Sequence, residues 1–404
     1  MPTAPSRSPT TRQLARCNHR MLEWWRVEAG YAPDAAARRL DVSPERLRAW
    51  EAGTSLPTVP QLRRLAHLYR RPLAAFYLPE PPSAFTVPRD FRRLPGQPPA
   101  PHSPELLLGL RLAVYRRAVA LELEPDAPST ELVGSAGHGQ RADELAERGR
   151  ALLGVTLDEQ KAWRDEYAAL NAWKNALELH GVLVFHFSGV AITEVRGFSF
   201  SEQVLPVIGL NGSDSPKGRI FTLIHELGHL LLGEGGSCDL ADYTRPRTDL
   251  ADEAEVFCNR FAGSLLVPAA TLSADPSVRQ ATQTTQWTDA ELDRLARQFW
   301  VSREVILRRL LILGRADETF YRERRAELLA LPPRVTSGRT GRPSVPVMVV
   351  RDVGKPFARL VLDAYHAALI TGSDVSDYLG VRLKHLPKIE QRLSGPDLLT
   401  GGEP

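Results

Sequence analysis

The sequence has few cysteines and no long apolar run. Cys17, Cys238 and Cys258 are an odd, scattered set in a chain of 404 residues, which argues against a disulfide framework and for a reducing compartment. No apolar run approaches the roughly 20 residues that a membrane span needs, so no membrane partner is expected. Residues 1–12 lack the apolar core of a signal peptide and are expected to form a disordered tail. We therefore predict a cytoplasmic protein.

Lysine is also scarce, and the basic residues are unevenly distributed. Residues 1–80 contain 13 Arg, no Lys and 7 acidic residues, although the net charge of the whole chain is only +3. Arg89, Arg92 and Arg93 extend this basic segment. A basic module on a near-neutral chain favours an anionic partner, most simply DNA. An Arg-rich proteome would give the same composition, so charge alone does not separate the two interpretations.

Residues 13–79 have the pattern of an all-α helix-turn-helix domain. Asp34–Leu40 and Ser43–Ala52 are predicted helices joined by a turn at Asp41-Val42, and their apolar residues have the spacing that two crossing helices bury. The segment, which includes Trp50-Glu51-Ala52-Gly53, resembles the helix-turn-helix of the Xre family. This resemblance implies DNA as a partner.

The predicted recognition helix departs from the Xre pattern at the positions where bases are usually read. Pro44, Glu45 and Ala49 stand there in place of Gln or Asn, which can pair bidentately with adenine. Arg46 and Arg48 remain available for bases or phosphates. A helix-turn-helix used for dimerisation or for contact with a partner protein is the alternative. The candidate DNA-contacting residues are Ser43, Glu45, Arg46 and Arg48.

The most informative motif is His225-Glu226-Leu227-Gly228-His229 in the apolar run Phe221–Leu232. Residues four apart lie on one face of a helix, so His225 and His229 can bind one Zn²⁺, with Glu226 beside the open position of the metal. A helix with two incidental solvent-facing histidines is the alternative. The flanking leucines argue against it, because they predict a buried helix, in which unpaired polar groups are costly.

A catalytic zinc needs a third protein ligand, and a downstream helix offers one. Asp249–Val267 is predicted to be amphipathic, with Glu255 and Asn259 on the stripe that can pack on the zinc helix. Glu253 points about 160° away from Glu255. We therefore predict Glu255 as the third ligand in preference to Glu253. Asn259 is expected to accept a hydrogen bond from the ring N–H of one ligating histidine.

These residues carry a second resemblance. His225-Glu-Leu-Gly-His-Leu-Leu-Leu232, followed by Glu255-x-x-x-Asn259 and Phe261-Ala262, is similar to the ImmA/IrrE family of zinc metallopeptidases over roughly Ala142–Ala270. The resemblance implies a gluzincin-like domain and a regulatory protease that cleaves a helix-turn-helix repressor, often fused to an Xre-type domain. Two residues differ from the frequent family pattern, Phe257 and Cys258, and neither is a proposed ligand.

The remaining segments complete an α+β architecture. Residues 80–141 are predicted to contain a linker and a long helix, and residues 142–275 to form the metallopeptidase domain with a small sheet. Residues 276–331 are expected to form a helical, helix-turn-helix-like unit. Residues 332–404 are expected to form a small helical C-terminal domain, to which we assign no chemistry.

Within the metallopeptidase domain, the pattern predicts a helix over Glu159–Leu179 and strands over Gly181–Phe187, Gly197–Phe200 and Leu205–Leu210. The last of these is expected to be either a sheet edge that accepts substrate as an extra strand or an ordinary core strand. Tyr243, Arg245 and Arg247 are near in sequence to the zinc helix, but the oxyanion-stabilising role stays unassigned.

Two functions are consistent with these features. The first is a DNA-binding regulatory zinc metalloprotease in which Glu226 is the general base and the substrate is a specific protein, such as a transcriptional repressor. The second is a non-proteolytic regulator or antitoxin-like protein that uses the peptidase fold as a scaffold for a partner such as a toxin. A second copy of the chain is a further candidate partner. An intact Glu226 favours the protease, because a scaffold does not need it.

Overall fold

The computed structural model of the chain describes residues 13–85, 102–137, 139–233, 237–238, 250–330 and 343–394. The chain divides into two compact units; of the described residues, the first contains 13–85 and 102–111, and the second contains the rest. Arg89, Arg92 and Arg93, and also Tyr243, Arg245 and Arg247, lie outside the described residues. The tail at 1–12 and most of the two predicted linkers lie outside them as well.

The described part of the first unit contains helices and no strand longer than an isolated bridge, as the sequence predicts. Its elements are α1 (His19–Glu28), α2 (Pro33–Leu40), α3 (Pro44–Glu51), α4 (Val59–Leu68) and a 3-10 helix (Leu73–Tyr77). Asp41, the residue after α2, has a left-handed backbone with φ 56°, a conformation that Asp tolerates better than most residues. This turn lets α3 cross α2, so that Ala37, Leu40, Leu47 and Trp50 are buried together.

The second unit contains a small sheet surrounded by helices. α5 (Pro104–Leu123) contributes residues 112–123 to this unit. The sheet has β1 (Leu183–Phe187), β2 (Gly197–Phe200), β3 (Val207–Asn211) and β4 (Ser237–Cys238). The helices before the C-terminal segment are α6 (Ala142–Leu152), α7 (Leu157–Ala162), α8 (Glu166–Glu178), α9 (Pro216–Leu232), α10 (Leu250–Leu266), α11 (Ala269–Ala274), α12 (Pro276–Gln280), α13 (Asp289–Phe299), α14 (Arg303–Ile312) and α15 (Glu318–Ala330).

The strand order is β1-β3-β2-β4, with β1 parallel to β3 and the other pairs antiparallel. β3 therefore lies between β1 and β2, so the expectation that Leu205–Leu210 is a sheet edge is wrong, and the core-strand alternative is the observed one. All five residues of β3 are buried. A central strand and a buried edge strand have the same apolar composition. They differ only in which strands pair with them, and this pairing joins residues far apart in the sequence.

One predicted helix is two helices in the structure. The segment Glu159–Leu179 is interrupted between α7 and α8, because Asp165 begins a new helix. Its carboxylate accepts hydrogen bonds from the N–H groups of Tyr167 and Ala168 at 3.0 and 2.8 Å, which is N-cap geometry. α8 then packs on α9 and β1, and it supplies Trp173 and Leu177 to the core.

A single hydrophobic core extends from Leu132 to Tyr321. It includes residues of α6, α8, α9 and α10 together with Leu295, Ile306 and Leu310 of α13 and α14. The helix-turn-helix-like segment at 276–331 thus shares its core with the segment that carries the His-Glu-x-x-His motif.

The C-terminal segment forms four more helices, α16 (Val345–Val353), α17 (Lys355–His366), α18 (Gly372–Leu379) and α19 (Leu386–Ser394), with a 3-10 helix (Leu383–His385) directly before α19. α16 lies against β1, where the carbonyl of Arg351 accepts from Lys174 Nζ at 3.0 Å and from His186 Nδ1 at 2.7 Å. None of the helices in the described part of the chain has the length and apolarity of a membrane span. The predicted fold class, α+β with a helical N-terminal domain and a helical C-terminal region, is confirmed.

Candidate metal centre

α9 is built as a buried helix with defined ends. The hydroxyl of Ser215 accepts from Gly218 N–H at 3.0 Å, and Pro216 occupies the first turn, where its missing N–H has no cost. The helix ends at Gly233, which has φ 70° and satisfies carbonyls of the last turn. His225 and Glu226 are 0% exposed and His229 is 3% exposed. The alternative of two solvent-facing histidines therefore does not describe this helix.

Three side chains from two helices converge at one point. The Nε2 atoms of His225 and His229 are 3.1 Å apart. The Oε2 atom of Glu255 lies 3.3 Å from Nε2 of His225, and its Oε1 atom lies 3.1 Å from Nε2 of His229. In the described part of the chain, this is the one group of His, Cys, Asp or Glu side chains whose geometry could hold a metal ion.

These distances fit zinc. Ligand atoms about 2.0–2.1 Å from a tetrahedral Zn²⁺ lie about 3.3–3.4 Å from one another, which is close to the observed separations. The two ring Nδ1 atoms are buried without a hydrogen-bond partner, and the Nε2 atoms face each other and Glu255. Two imidazoles and one carboxylate are a frequent ligand set of catalytic zinc sites.

Gly228 explains how the two helices approach closely enough. A Cβ atom at this position would lie 3.0 Å from Sγ, 3.1 Å from Cβ and 3.2 Å from Cα of Cys258 on α10. The contact involves backbone, which a rotamer change cannot relieve. A larger residue would push α10 away from α9, and with it Glu255, one turn before Cys258. The glycine within the motif thus sets the helix separation that the ligand geometry requires.

Glu226 lies beside the three ligands, and its two carboxylate oxygens have different surroundings. Its Oε2 atom accepts a 2.7 Å hydrogen bond from Oγ of Ser199 on β2, and both residues are fully buried. Its Oε1 atom has no hydrogen-bond partner. Gly197 leaves room beside Oε1, because a Cβ atom there would lie 3.4 Å from that oxygen and 2.4 Å from Thr222 Cγ2. One carboxylate oxygen is therefore fixed, and the other is available.

The charge state of the carboxylates reflects their surroundings. Burial raises the pKa of Glu226 above its ordinary value, although His229, His225 and the Ser199 hydroxyl act in the opposite direction. Burial also acts to raise the pKa of Glu255, but the two facing histidines outweigh it, and the pKa is lowered. Glu255 is thus held as a carboxylate, the form that a metal ligand needs, whereas Glu226 is shifted towards the range of a general base.

The other predicted residues of this centre are placed as follows. Glu253 is exposed and is not part of the ligand group. Asn259 is buried one turn after Glu255, and its Nδ2 atom donates to the Glu255 carbonyl at 2.5 Å. Its Oδ1 atom accepts no hydrogen bond, so the expected bond from a histidine ring N–H is not formed in this structure.

The C-terminal end of α10 is held by donors from three other helices, of which Gln160 and Arg309 are buried. The last carbonyls of a helix have no intrahelical partner. Here Arg150 of α6 donates to the Leu265 carbonyl at 2.9 Å, and Gln160 of α7 donates to that of Leu266 at 3.0 Å. Arg309 of α14 donates to the Val267 carbonyl at 3.0 Å. The helix that carries Glu255 is therefore fixed along its axis by its neighbours.

The four predicted DNA-contacting residues lie together in the first unit, at the start of α3 and on its surface. Ser43, Glu45, Arg46 and Arg48 are all exposed, and the Ser43 hydroxyl caps α3 by accepting from Arg46 N–H at 3.3 Å. The guanidinium of Arg46 lies over the ring of Trp50 at 5.6 Å, and Arg48 donates to Asp34 at 3.1 Å. Both arginines lie at the surface, and each also contacts a neighbouring side chain of the protein.

Protein-family models match the two segments in which these residues lie. The family model of the IrrE N-terminal-like domain, a peptidase family, matches residues 177–311, and a helix-turn-helix family model matches residues 22–76. No match is found among curated proteins. The two resemblances drawn from the sequence are confirmed: this chain carries an Xre-type helix-turn-helix followed by an IrrE-like domain. Together they support a DNA-binding regulator with a domain of metallopeptidase fold.

Proposed function

We propose that this chain is a DNA-binding regulator whose IrrE-like domain is a zinc-dependent endopeptidase, and that it cleaves a specific protein partner, such as a transcriptional repressor. The observation that carries the proposal is the number and kind of groups at the centre. Three ligand atoms converge there in the described part of the chain, and they leave a fourth coordination position, as in catalytic and not structural zinc sites. Glu226 stands beside them without being a ligand.

Zinc bound by His225, His229 and Glu255 would lower the pKa of a bound water and polarise the scissile carbonyl. The residues of the chain do the remaining work. Oε1 of Glu226, which has no partner, accepts the proton of the water and delivers it to the leaving amine. Ser199 holds Oε2 at 2.7 Å, so the carboxylate presents Oε1 in one orientation. Burial of Glu226 raises its pKa, which makes the carboxylate a better acceptor for the proton of the water.

The helix-turn-helix supports a regulatory role for this chemistry. Exposed cations on α3 are suited to duplex DNA, because phosphates and the acceptor groups of guanine attract guanidinium groups. A protease tethered to DNA in this way meets other DNA-bound proteins at high effective concentration. A repressor bound at a nearby site is therefore the substrate class that we propose.

The experiment compares new protein N-termini in host cells that produce the wild type, Glu226→Gln or Glu253→Gln. Glutamine keeps the size and hydrogen-bonding capacity of the side chain, but it cannot take up the proton, and loss of a general base costs about 10²–10⁴-fold in rate. Glu253 is the matched control, since it is exposed and lies outside the ligand group.

We expect at least one new N-terminus that is present with the wild type and Glu253→Gln and absent with Glu226→Gln, while zinc content and DNA affinity are the same in all three. Regulation by Glu226→Gln that equals the wild type, with identical sets of N-termini, would refute the protease and favour the scaffold hypothesis.

A further inference from the structure

The turn between α2 and α3 occurs at two other places in the chain. α13 and α14, and likewise α18 and the 3-10 helix before α19, are separated by three residues, as α2 and α3 are. In each case the first residue after the leading helix has a positive φ: 56° at Asp41, 57° at Trp300 and 66° at Gly380. The second and third turns thus have the length and left-handed residue of the first.

We call α2 and α3 the N-terminal copy, α13 and α14 the middle copy, and α18 with the 3-10 helix and α19 the C-terminal copy. The C-terminal copy also repeats the apolar spacing of the N-terminal copy. In both turns the N–H of the residue after the left-handed position donates to the same relative carbonyl, Val42 to Ala37 at 3.1 Å and Val381 to Ser376 at 3.0 Å. Three buried residues of the C-terminal copy correspond to buried residues of the N-terminal copy, Leu379 to Leu40, Leu386 to Leu47 and Ile389 to Trp50. Since a helix-turn-helix model matches residues 22–76, α17–α19 have the geometry of a helix-turn-helix.

The second helix of the middle copy is largely buried. On its second helix, α14, Val305, Ile306, Leu307 and Leu310 are buried in the common core. Arg309 is also buried and donates to the carbonyl of Val267. The middle copy is therefore a structural part of the peptidase domain and serves as an internal contrast for the other two.

The second helix of the C-terminal copy has a basic, solvent-facing side. Leu386, Ile389 and Leu393 are buried, while the polar side chains between them point outward. The one acid of this helix, Glu390, lies 2.9 Å from His366. No hydrogen bond or ion pair joins the other polar side chains to described residues. The exposed residues are Arg382, Lys384, Lys388, Gln391 and Arg392.

Arg382 occupies the N-cap position of the 3-10 helix Leu383–His385. The corresponding residues, Ser43 and Ser302, each accept a hydrogen bond from the third helical N–H, whereas Arg382 makes no such bond. An arginine is a poor cap, and its charge opposes the positive end of the helix dipole. Arg382 therefore does not serve as a helix cap, and its side chain is exposed.

We infer that α17–α19 form a second DNA-binding helix-turn-helix, which contacts duplex DNA through Arg382, Lys384 and Lys388. The corresponding positions of the N-terminal copy include Glu45 and Ala49, so the C-terminal second helix is the more basic of the two. Helices in this position enter the major groove, and Lys384 and Lys388 correspond to Glu45 and Ala49, the positions at which bases are usually read. The inference does not depend on protease activity.

The test measures binding of the full-length chain to a fluorescein-labelled, mixed-sequence DNA duplex of about 30 base pairs, which spans about three helical turns. Affinity is followed by anisotropy over a series of salt concentrations. The triple variant Arg382→Ala/Lys384→Ala/Lys388→Ala is compared with Lys161→Ala/Arg279→Ala/Arg297→Ala, which removes three exposed charges elsewhere. Both are made in the wild type and in Arg46→Ala/Arg48→Ala, so that the N-terminal copy does not mask the effect.

We expect the C-terminal triple variant to lose affinity about tenfold or more and the slope of log K against log salt to become less steep by about 2–3, because each phosphate contact contributes about 0.9. The control triple variant should keep the slope. The charge-conserving variant Arg382→Lys/Lys384→Arg/Lys388→Arg should bind like the wild type. If the triple alanine variant does not fold, the single variant Lys388→Glu replaces it, and we expect this variant to bind DNA more weakly than the wild type.

Equal slopes for the C-terminal and control variants in both backgrounds would overturn the inference. Equal affinity for an RNA duplex of the same length would also overturn it, because the deep, narrow major groove of A-form RNA does not admit a helix.

Discussion

Ser199 holds Glu226 from a strand that precedes it in the chain by 27 residues, through a 2.7 Å hydrogen bond from Oγ to Oε2. Both side chains are fully buried, where a hydrogen bond to a carboxylate is strong and a missing one is costly. This bond leaves Oε1 as the carboxylate oxygen of Glu226 that has no partner. The orientation of the proposed base thus depends on β2 as much as on α9.

The first prediction concerns this bond. Ser199→Ala should lower the rate of substrate cleavage about 10- to 100-fold, because a hydrogen bond to a charged group contributes about 1.5–3 kcal/mol. Zinc content should not change, since Ser199 is not in the ligand group. Ser135→Ala is the control, because its hydroxyl donates to the Leu132 carbonyl instead. Cleavage kinetics and metal analysis of the purified variants check the prediction, and wild-type rates for Ser199→Ala would contradict it.

The second prediction concerns the metal. The purified chain should contain about one zinc per molecule, and His229→Ala should lose it, because a catalytic zinc needs three protein ligands. Glu255→Gln should weaken zinc binding far more than Glu253→Gln on the same helix. Competition with a chromophoric chelator measures both affinities. If the two glutamate variants rank in the opposite order, the third ligand is not Glu255.

The third prediction concerns the separation of α9 and α10. Alanine stabilises a helix by about 1 kcal/mol relative to glycine, so Gly228→Ala would raise stability if local preference alone acted. Instead we expect weaker zinc binding and a lower free energy of unfolding, because the new Cβ would lie 3.2 Å or less from Cys258 Sγ, Cβ and Cα.

The matched control for Gly228→Ala is Gly149→Ala on α6, whose new Cβ would make ordinary contacts at 3.4–3.5 Å. This variant should bind zinc normally and unfold at the same or a higher urea concentration. Identical behaviour of the two alanine variants would show that Gly228 does not set the helix separation.

The fourth prediction concerns α3. Arg46→Ala and Arg48→Ala should each weaken DNA binding and make its salt dependence less steep by about 0.9, the contribution of one phosphate contact. Arg46 should have the larger effect, because Arg48 already donates to Asp34 at 3.1 Å. Asp34→Asn, which releases Arg48, should strengthen binding. Unchanged salt dependence in both arginine variants would remove α3 from the DNA interface.

Local sequence was sufficient for the parts of the site that lie on one helix. His225, Glu226 and His229 are brought together by helical spacing alone, and Glu255 could be distinguished from Glu253 because only one of them shares a stripe with the buried residues of its helix. Ser199 could not be found in this way, since its position opposite Glu226 depends on how β2 packs on α9. The central place of β3 depended on strand pairing for the same reason.

Other features carried a local signal that was not used. Asp165 had the character of an N-cap and would have divided the predicted helix Glu159–Leu179 at the correct place. The spacing of Leu379, Gly380 and Val381 repeats that of Leu40, Asp41 and Val42, so comparison of the chain with itself would have indicated the C-terminal helix-turn-helix. The exposure of its cations, in contrast, required the structure.

The donors that hold the end of α10 determine which segments of this protein can be exchanged by recombination without loss of the fold. Because Arg309 on α14 binds the carbonyl of Val267, and α13 and α14 share one core with α9 and α10, a chain cut at Asp275 would expose an apolar face and leave buried acceptors without donors. Residues 276–331 therefore cannot be exchanged between relatives as an independent module. Recombination that preserves the proposed protease has to occur outside the common core, and substitutions in α14, far along the chain from the histidines, are expected to appear as defects of the metal centre.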